Sequence, residues 1–349
     1  MVAEDRTLVI GVDTHRDTHT YALVRSGSGE ILAQTEFPAD SRGYARALAL
    51  ARKKAPTKRL WAIEGTGSYG KGLARFLADK GEKVLEVECR LRPKRSPARG
   101  KSDSLDALRA ARQVLEGQVA GHEPRTGAPR EALRVLLATR ESAVRARSAA
   151  FCQLRALIVS APDELRRELR ELSEAKLIAR ASSFRPQART DTESRIQALA
   201  MRGLAERIAL LTKETRELER EITSLVRSIC PALLAEPGVG LVSAARLLVS
   251  WSHAGRLRDE AAFARLAGAA PLPASSGQVT RHRLDKGGDR QLNRALHTVV
   301  MSRRKIHPET IAYCERRISE GKSKREAMRC LKRYLARHFF RLMEAQALT

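Results

Sequence analysis

The hydrophobic period of this chain changes once, after residue 116, and that change limits what the chain can fold into. Before it, short β-branched runs alternate with helical stretches. Residues 7–13 end a β-branched run in an acid, residues 18–24 alternate apolar and polar, and residues 31–37 give a third strand. Gly27 and Gly29 supply a turn, so the three read as a meander. Ser41 is expected to cap a helix reaching about Lys54. A short buried strand follows over 60–63, a helix over 71–80 stopped by Gly81, and a fifth strand over 83–88. Ser102 is expected to cap a helix to about Leu115. The order β-β-β-α-β-α-β-α is that of the RNase H-like fold, one mixed sheet with flanking helices, over residues 1–118.

Residues 116–130 carry Gly, Pro and charge and read as a linker. Beyond them Leu133, Leu137, Val144, Phe151, Leu154 and Ile158 keep a four–three spacing, with Arg140 and Arg147 in the gaps. Leu204, Ile208, Leu211, Thr215, Leu218, Ile222, Leu225 and Ile229 repeat it without a gap. Such steps give a coiled coil or an antiparallel helical hairpin over 130–230, or else an amphipathic bundle helix. Residues 181–192 break the pattern and are expected to form a loop. A mostly α C-terminal domain is expected over 231–349. It holds the turn Pro237-Gly-Val-Gly240, a Ser/Gly loop at 274–277, and a basic tail. Arg303, Arg304, Lys332, Arg333 and Arg337 supply part of the tail's charge, and Leu331, Leu335 and Phe339 its apolar stripe.

Charge narrows the partners. Sixty-five Lys and Arg stand against 40 Asp and Glu, a formal net charge of +25. A field of that strength draws polyanions, and nucleic acid suits it better than a membrane surface. The five cysteines, Cys89, Cys152, Cys230, Cys314 and Cys330, are scattered, which disfavours zinc fingers and a disulfide framework. A reducing cytoplasm is the expected location, with no membrane span and no signal-like apolar N-terminus.

Four acids fall at informative places. Asp13 ends the first strand; Glu64 ends the fourth, just before Gly65-Thr-Gly-Ser-Tyr69. Asp103 and Asp106, three apart, share a face near the start of a helix. In an RNase H-like sheet the first and fourth strands are neighbours and the last helix crosses them, so the four acids are expected to converge. Clustered carboxylates repel unless a cation neutralises them, and hard oxygen donors select Mg²⁺ or Mn²⁺. Asp17 is expected to face solvent. His15 and His19 read as turn or nucleic-acid contacts rather than metal ligands. Glycines 65, 67 and 70 lack the Gly-Lys-Ser/Thr ending of a P-loop, so a close backbone approach suits them better than a nucleotide site.

Basic residues flank these acids. Arg90, Arg92, Lys94, Arg95, Arg99 and Lys101 lead directly into Asp103, a cationic loop suited to a phosphodiester substrate. Pro237-Gly-Val-Gly240 reads as a helix-hairpin-helix-like turn in which Gly238 and Gly240 would offer backbone amides to a DNA phosphate, or as a plain tight turn between packed helices.

In order, Gly11-Val-Asp13-Thr-His, Ile63-Glu64-Gly-Thr-Gly-Ser-Tyr69, Lys101-Ser-Asp103-Ser-Leu-Asp106-Ala, Pro237-Gly-Val-Gly240 and Ala274-Ser-Ser-Gly277 resemble the DEDD-type insertion-sequence transposases, also called bridge-RNA-guided recombinases. The resemblance covers nearly the whole chain. It implies a RuvC-like nuclease domain, a coiled-coil linker and a C-terminal transposase domain. It implies Asp13, Glu64, Asp103 and Asp106 as Mg²⁺-binding acids and Ser276, with Ser275 as its adjacent rival, as a nucleophile. Arg281, Arg283, Lys286 and Arg290 follow that serine and would clamp phosphates. The resemblance also implies double-stranded DNA partners (element ends and target), a structured noncoding guide RNA, and a homo-oligomer, dimer or tetramer, with a composite site between subunits. Two other readings compete: a RuvC-like Mg²⁺-dependent nuclease or junction resolvase that only hydrolyses DNA, and a non-catalytic nucleic-acid scaffold.

Overall fold

The structure, a computed structural model, describes residues 7–87, 103–116, 123–125, 127–273, 282–283 and 288–347. The first elements come in the expected order: β1 (Leu8–Thr14), β2 (Thr18–Arg25), β3 (Ile31–Pro38), α1 (Ser41–Lys54), β4 (Arg59–Glu64), α2 (Lys71–Asp79), β5 (Val84–Val87) and α3 (Asp103–Leu115). The five strands form one sheet, β3-β2-β1-β4-β5. β1 runs antiparallel to β2 and parallel to β4, which makes the sheet mixed. The start of α1 differs by one residue from the expectation. Asp40 is the cap, its carboxylate accepting the Gly43 N–H at 2.8 Å, and Ser41 is the first helical residue.

Strand alternation sorts the sheet into two faces. Leu8, Ile10, Val12, Tyr21, Trp61 and Ile63 point to α1 and α2, which contribute Tyr44, Leu48, Leu73 and Leu77. Val9, Ala22, Val24, Leu60 and Ala62 point to α3, which answers with Ala107, Leu108, Ala111 and Val114. Gly11 adds no side chain to the second face, so α3 lies directly on β1 there.

After the linker the chain is helical: α4 (Ala128–Val159), α5 (Asp163–Leu169), α6 (Glu174–Ser182) and α7 (Thr192–Ile229). The connection expected over 181–192 holds one 3-10 turn, Pro186–Ala188. α4 and α7 form an antiparallel hairpin. Arg140 of α4 pairs with Glu219 of α7 at 2.6 Å, and Ala150, Leu154 and Ile158 pack with Ala198, Met201, Ala205 and Ile208. Leu165, Leu169, Leu177 and Ala181 of α5 and α6 complete that core.

The seam departs from the sequence reading. Ile208, Thr215 and Ile222 are buried as expected, but their companions are Ala198, Met201, Ala205 and Val226. Leu204, Leu211, Leu218 and Leu225 are only half-buried. Small residues at the seam let the two helices approach closely, and the leucines flank the contact.

The remaining elements are α8 (Ala232–Ala235), α9 (Leu241–Trp251), α10 (Glu260–Leu266), the two-residue strands β6 (Leu272–Pro273) and β7 (His282–Arg283), α11 (Arg290–Ile306), α12 (Pro308–Ser319) and α13 (Lys324–Ala347). Two compact units emerge. One gathers Met1–Gly127, Trp251–Arg290 and Ala336–Glu344; the other gathers Ala128–Ser250, Gln291–Leu335 and Ala345–Thr349. Each therefore joins stretches remote in sequence. In the first, Arg256 is almost wholly buried; it pairs with Glu86 of β5 at 3.4 Å and donates to the Glu123 carbonyl at 3.1 Å. Phe263 of α10 packs on Phe340 of α13, and Glu344 accepts from the Trp251 indole at 2.6 Å. No described helix is long and apolar enough to cross a membrane.

Candidate active site

Two of the predicted acids are brought together by strand pairing. Val12 of β1 is in register with Ile63 of β4, and Asp13 and Glu64 are the next residues on these neighbouring parallel strands. By alternation both side chains lie on the face that α3 covers. The Thr14 hydroxyl donates to the Glu64 carbonyl at 2.8 Å and ties the two strand ends. Gly65, at φ +70°, then turns the chain away. The Asp13 carboxylate is mostly buried, with Oδ2 3.2 Å from the His15 imidazole.

The other two acids sit on α3. Asp103 is its first residue; its side chain lies outside the described residues. Asp106 stands one turn on, next to Ala107, which touches β1 at Gly11. Its carboxylate takes a hydrogen bond from Arg109 at 2.5 Å. Among the described residues no group of three or more acids, histidines or cysteines surrounds a single point. The adjacent pair Asp13 and Glu64 nevertheless has the chemistry of a hard divalent-cation site: oxygen donors at strand ends, charges of one sign, and buried hydroxyls beside them.

Those hydroxyls escape the sequence reading. Thr20 of β2 is the ladder partner of Asp13, and Glu36 of β3 is the ladder partner of Thr20. On one face the row therefore runs Glu36, Thr20, Asp13, Glu64 across four strands. Among the described residues, the Thr20 and Thr66 hydroxyls are buried without a hydrogen-bond partner. Only the register aligns Thr20 and Glu36 with the acids.

The two histidines part ways. His15 stays beside Asp13, as a turn residue should. His19 overturns the expectation of a nucleic-acid contact: it is fully buried, stacked on Tyr44 at 5.7 Å, on the face opposite Asp13. Burial holds its pKa below the usual imidazole value, against a hydrogen bond to the Thr18 carbonyl that raises it. Asp17 is exposed, as expected.

The basic residues divide similarly. Arg92, Lys94, Arg95, Arg99, Lys101, Ser275, Ser276, Arg281 and Lys286 lie outside the described residues. Arg283 is in β7, and Arg290 opens α11 with its side chain exposed. Arg303, expected in a basic tail, is instead buried: it donates to the Pro237 carbonyl at 2.7 Å and pairs with Glu236 at 2.5 Å. Gly238, at φ +73°, faces Ser302 and Arg303 of α11, so this half of the turn is packing. Gly240 is exposed and leads into α9, and no described atom stands within 4 Å of where its Cβ would be. Leu331, Leu335 and Phe339 are buried, as the apolar stripe requires.

A family model described as "Transposase" matches residues 10–162, and a second, described as "Transposase IS116/IS110/IS902 family", matches residues 230–315. Together they take in about two thirds of the chain. An "Insertion element IS110 uncharacterized 43.6 kDa protein" of Streptomyces coelicolor is 31% identical over 129 residues. That match covers 36% of this chain and 32% of the relative, so the chain spans about a third of the relative's length.

Proposed function

We propose that this chain, matched by transposase family models over residues 10–162 and 230–315, is a transposase of the IS110 kind that cuts and rejoins DNA strands during movement of an insertion sequence. The observation that supports this is the placement of Asp13 and Glu64 side by side at the ends of β1 and β4, on the sheet face covered by α3, the helix whose sequence carries Asp103 and Asp106. These four acids would hold Mg²⁺, with Mn²⁺ as substitute. When bound, the cation neutralises charge on the scissile phosphate and lowers the pKa of a coordinated hydroxyl.

The protein's own part is a two-step exchange. The Ser276 hydroxyl attacks phosphorus, giving its proton to a base; the bond to one DNA oxygen breaks, and that oxygen leaves as a hydroxyl after protonation. A phosphoserine ester remains. A hydroxyl of a different strand then attacks the same phosphorus and releases the serine, so no external energy source is needed. Asp13, oriented by His15, and Glu64, fixed through Thr14, keep their carboxylates at the reacting phosphate. Gly240 and the amides opening α9, with Arg281, Arg283, Lys286 and Arg290, hold the DNA backbone. The resemblance adds a guide RNA that pairs with target and donor, a homo-oligomer, and a composite site between subunits. The chain's charge suits two nucleic acids at once.

Ser276→Ala and Asp13→Ala separate the readings on a supercoiled substrate carrying the element ends. A recombinase loses the covalent protein–DNA adduct in Ser276→Ala. A hydrolytic nuclease keeps cutting in Ser276→Ala and stops in Asp13→Ala. A scaffold is indifferent to both. Sequencing RNA that copurifies with the protein tests the guide: one structured species encoded beside the gene supports it, and a random population overturns it.

A further inference from the structure

We propose that Thr20 is a positioning residue of the acidic site, its hydroxyl hydrogen-bonding a water of the hydrated divalent cation held at Asp13. The proposal rests on the reading of Asp13 and Glu64 as cation ligands. Three observations support it. Thr20 is paired with Asp13 in the β1–β2 ladder, and the backbone bond from the His15 N–H to the Thr18 carbonyl makes Asp13 and Thr20 a hydrogen-bonded pair, with α-carbons about 5.5 Å apart. The two side chains share the sheet face that α3 covers, since Ala22 and Val24 of β2 and Val9 of β1 do. The Thr20 residue is 6% exposed, and its Oγ1 has no hydrogen-bond partner among the described residues.

A buried hydroxyl without a partner is costly, and native structures satisfy such groups with protein or bound water. Valine has the shape of threonine and would fill the same space, so packing alone gives no reason for the oxygen. Mg²⁺ retains several of its waters when carboxylates bind it, and those waters need acceptors and donors around them. Thr20 offers both at the distance of one cross-strand neighbour. It would orient the hydrated ion without touching the reacting atoms.

The test is Mn²⁺ binding to the full chain without nucleic acid, read as the loss of the free-ion EPR signal. Wild type, Thr20→Val, Thr20→Ala, Thr20→Ser and Asp13→Asn are compared, and each is also melted without metal. We expect Thr20→Val and Thr20→Ala to weaken Mn²⁺ binding about tenfold. Thr20→Ser should stay within about twofold of wild type because it keeps the hydroxyl. Thr20→Val should melt no lower than wild type without metal, since it removes an unsatisfied group. Undiminished Mn²⁺ binding by Thr20→Val and Thr20→Ala, beside its loss in Asp13→Asn, overturns the role of Thr20 and leaves the acids in place. Retained binding in Asp13→Asn overturns the acidic site itself. A lower melting temperature of metal-free Thr20→Val marks an ordinary structural residue and also overturns the proposal.

Discussion

Gly11 lies so close beneath Ala107 that a Cβ at position 11 would stand 2.0 Å from the Ala107 carbonyl oxygen and 2.6 Å from the Ala111 nitrogen. Backbone cannot yield as a flexible side chain can, so α3 would have to lift from the sheet. Gly11→Ala is therefore expected to cost about 3 kcal/mol or more, beyond ordinary overpacking. Urea denaturation measures it. Because α3 carries Asp103 and Asp106, the proposed DNA cleavage should fall with it, even where the protein still folds.

His19 makes stability depend on pH. Its folded pKa is depressed by burial, so the unfolded chain binds the proton more readily. The contribution is full above the unfolded value, about 6.5. It is lost as pH falls from there through the folded value. Melting temperatures should decline as pH is lowered below about 6.5. In His19→Gln that part of the slope should vanish, on top of a pH-independent loss from the altered packing against Tyr44. An unchanged slope would assign the dependence to other groups.

The Pro237-Gly-Val-Gly240 turn should separate packing from binding. Arg303→Met removes the guanidinium that pairs with Glu236 and should cost about 3 kcal/mol, the low end for a buried pair because Glu236 keeps some contact with water. Gly238→Ala should cost about 1–2 kcal/mol through its positive φ. Gly240→Ala meets open space and should leave the melting temperature within a degree or so, yet weaken DNA binding. Equal melting losses in both glycine variants would contradict this division.

In the α4–α7 hairpin, Ile208→Ala should cost about 2–5 kcal/mol, as for a fully buried core residue. Leu204→Ala should cost distinctly less, since Leu204 is half-buried beside the seam. Chemical denaturation of the two variants decides between the observed seam and the one that leucine spacing alone would give.

That case shows where the sequence is readable. Strands such as β1 and β4 announce themselves by β-branched residues, and their order gives the fold class, because few arrangements accept it. Asp13 and Glu64 follow as strand-end acids. Helix seams are less readable when alanine does the packing: Ala198 and Ala205 carry little hydrophobic signal, whereas the flanking leucines carry much. Thr20 and His19 stand next to each other in one strand, and only register and face reveal that the first adjoins Asp13 while the second is buried beneath Tyr44. Arg303 looks like any basic tail residue until its partner Glu236, sixty-seven positions earlier, is known.

The burial of Arg256 against Glu86 bears on how the protein can be dissected. A fragment cut at residue 118 or 127 retains every strand of the five-stranded sheet, yet it deprives Glu86 of its counter-charge and removes the stretches around Phe263 and Phe340. Such a piece would expose surfaces the intact chain never shows to water. Truncations meant to isolate the N-terminal sheet should therefore carry residues 251–290 along, or replace Glu86 with a neutral residue.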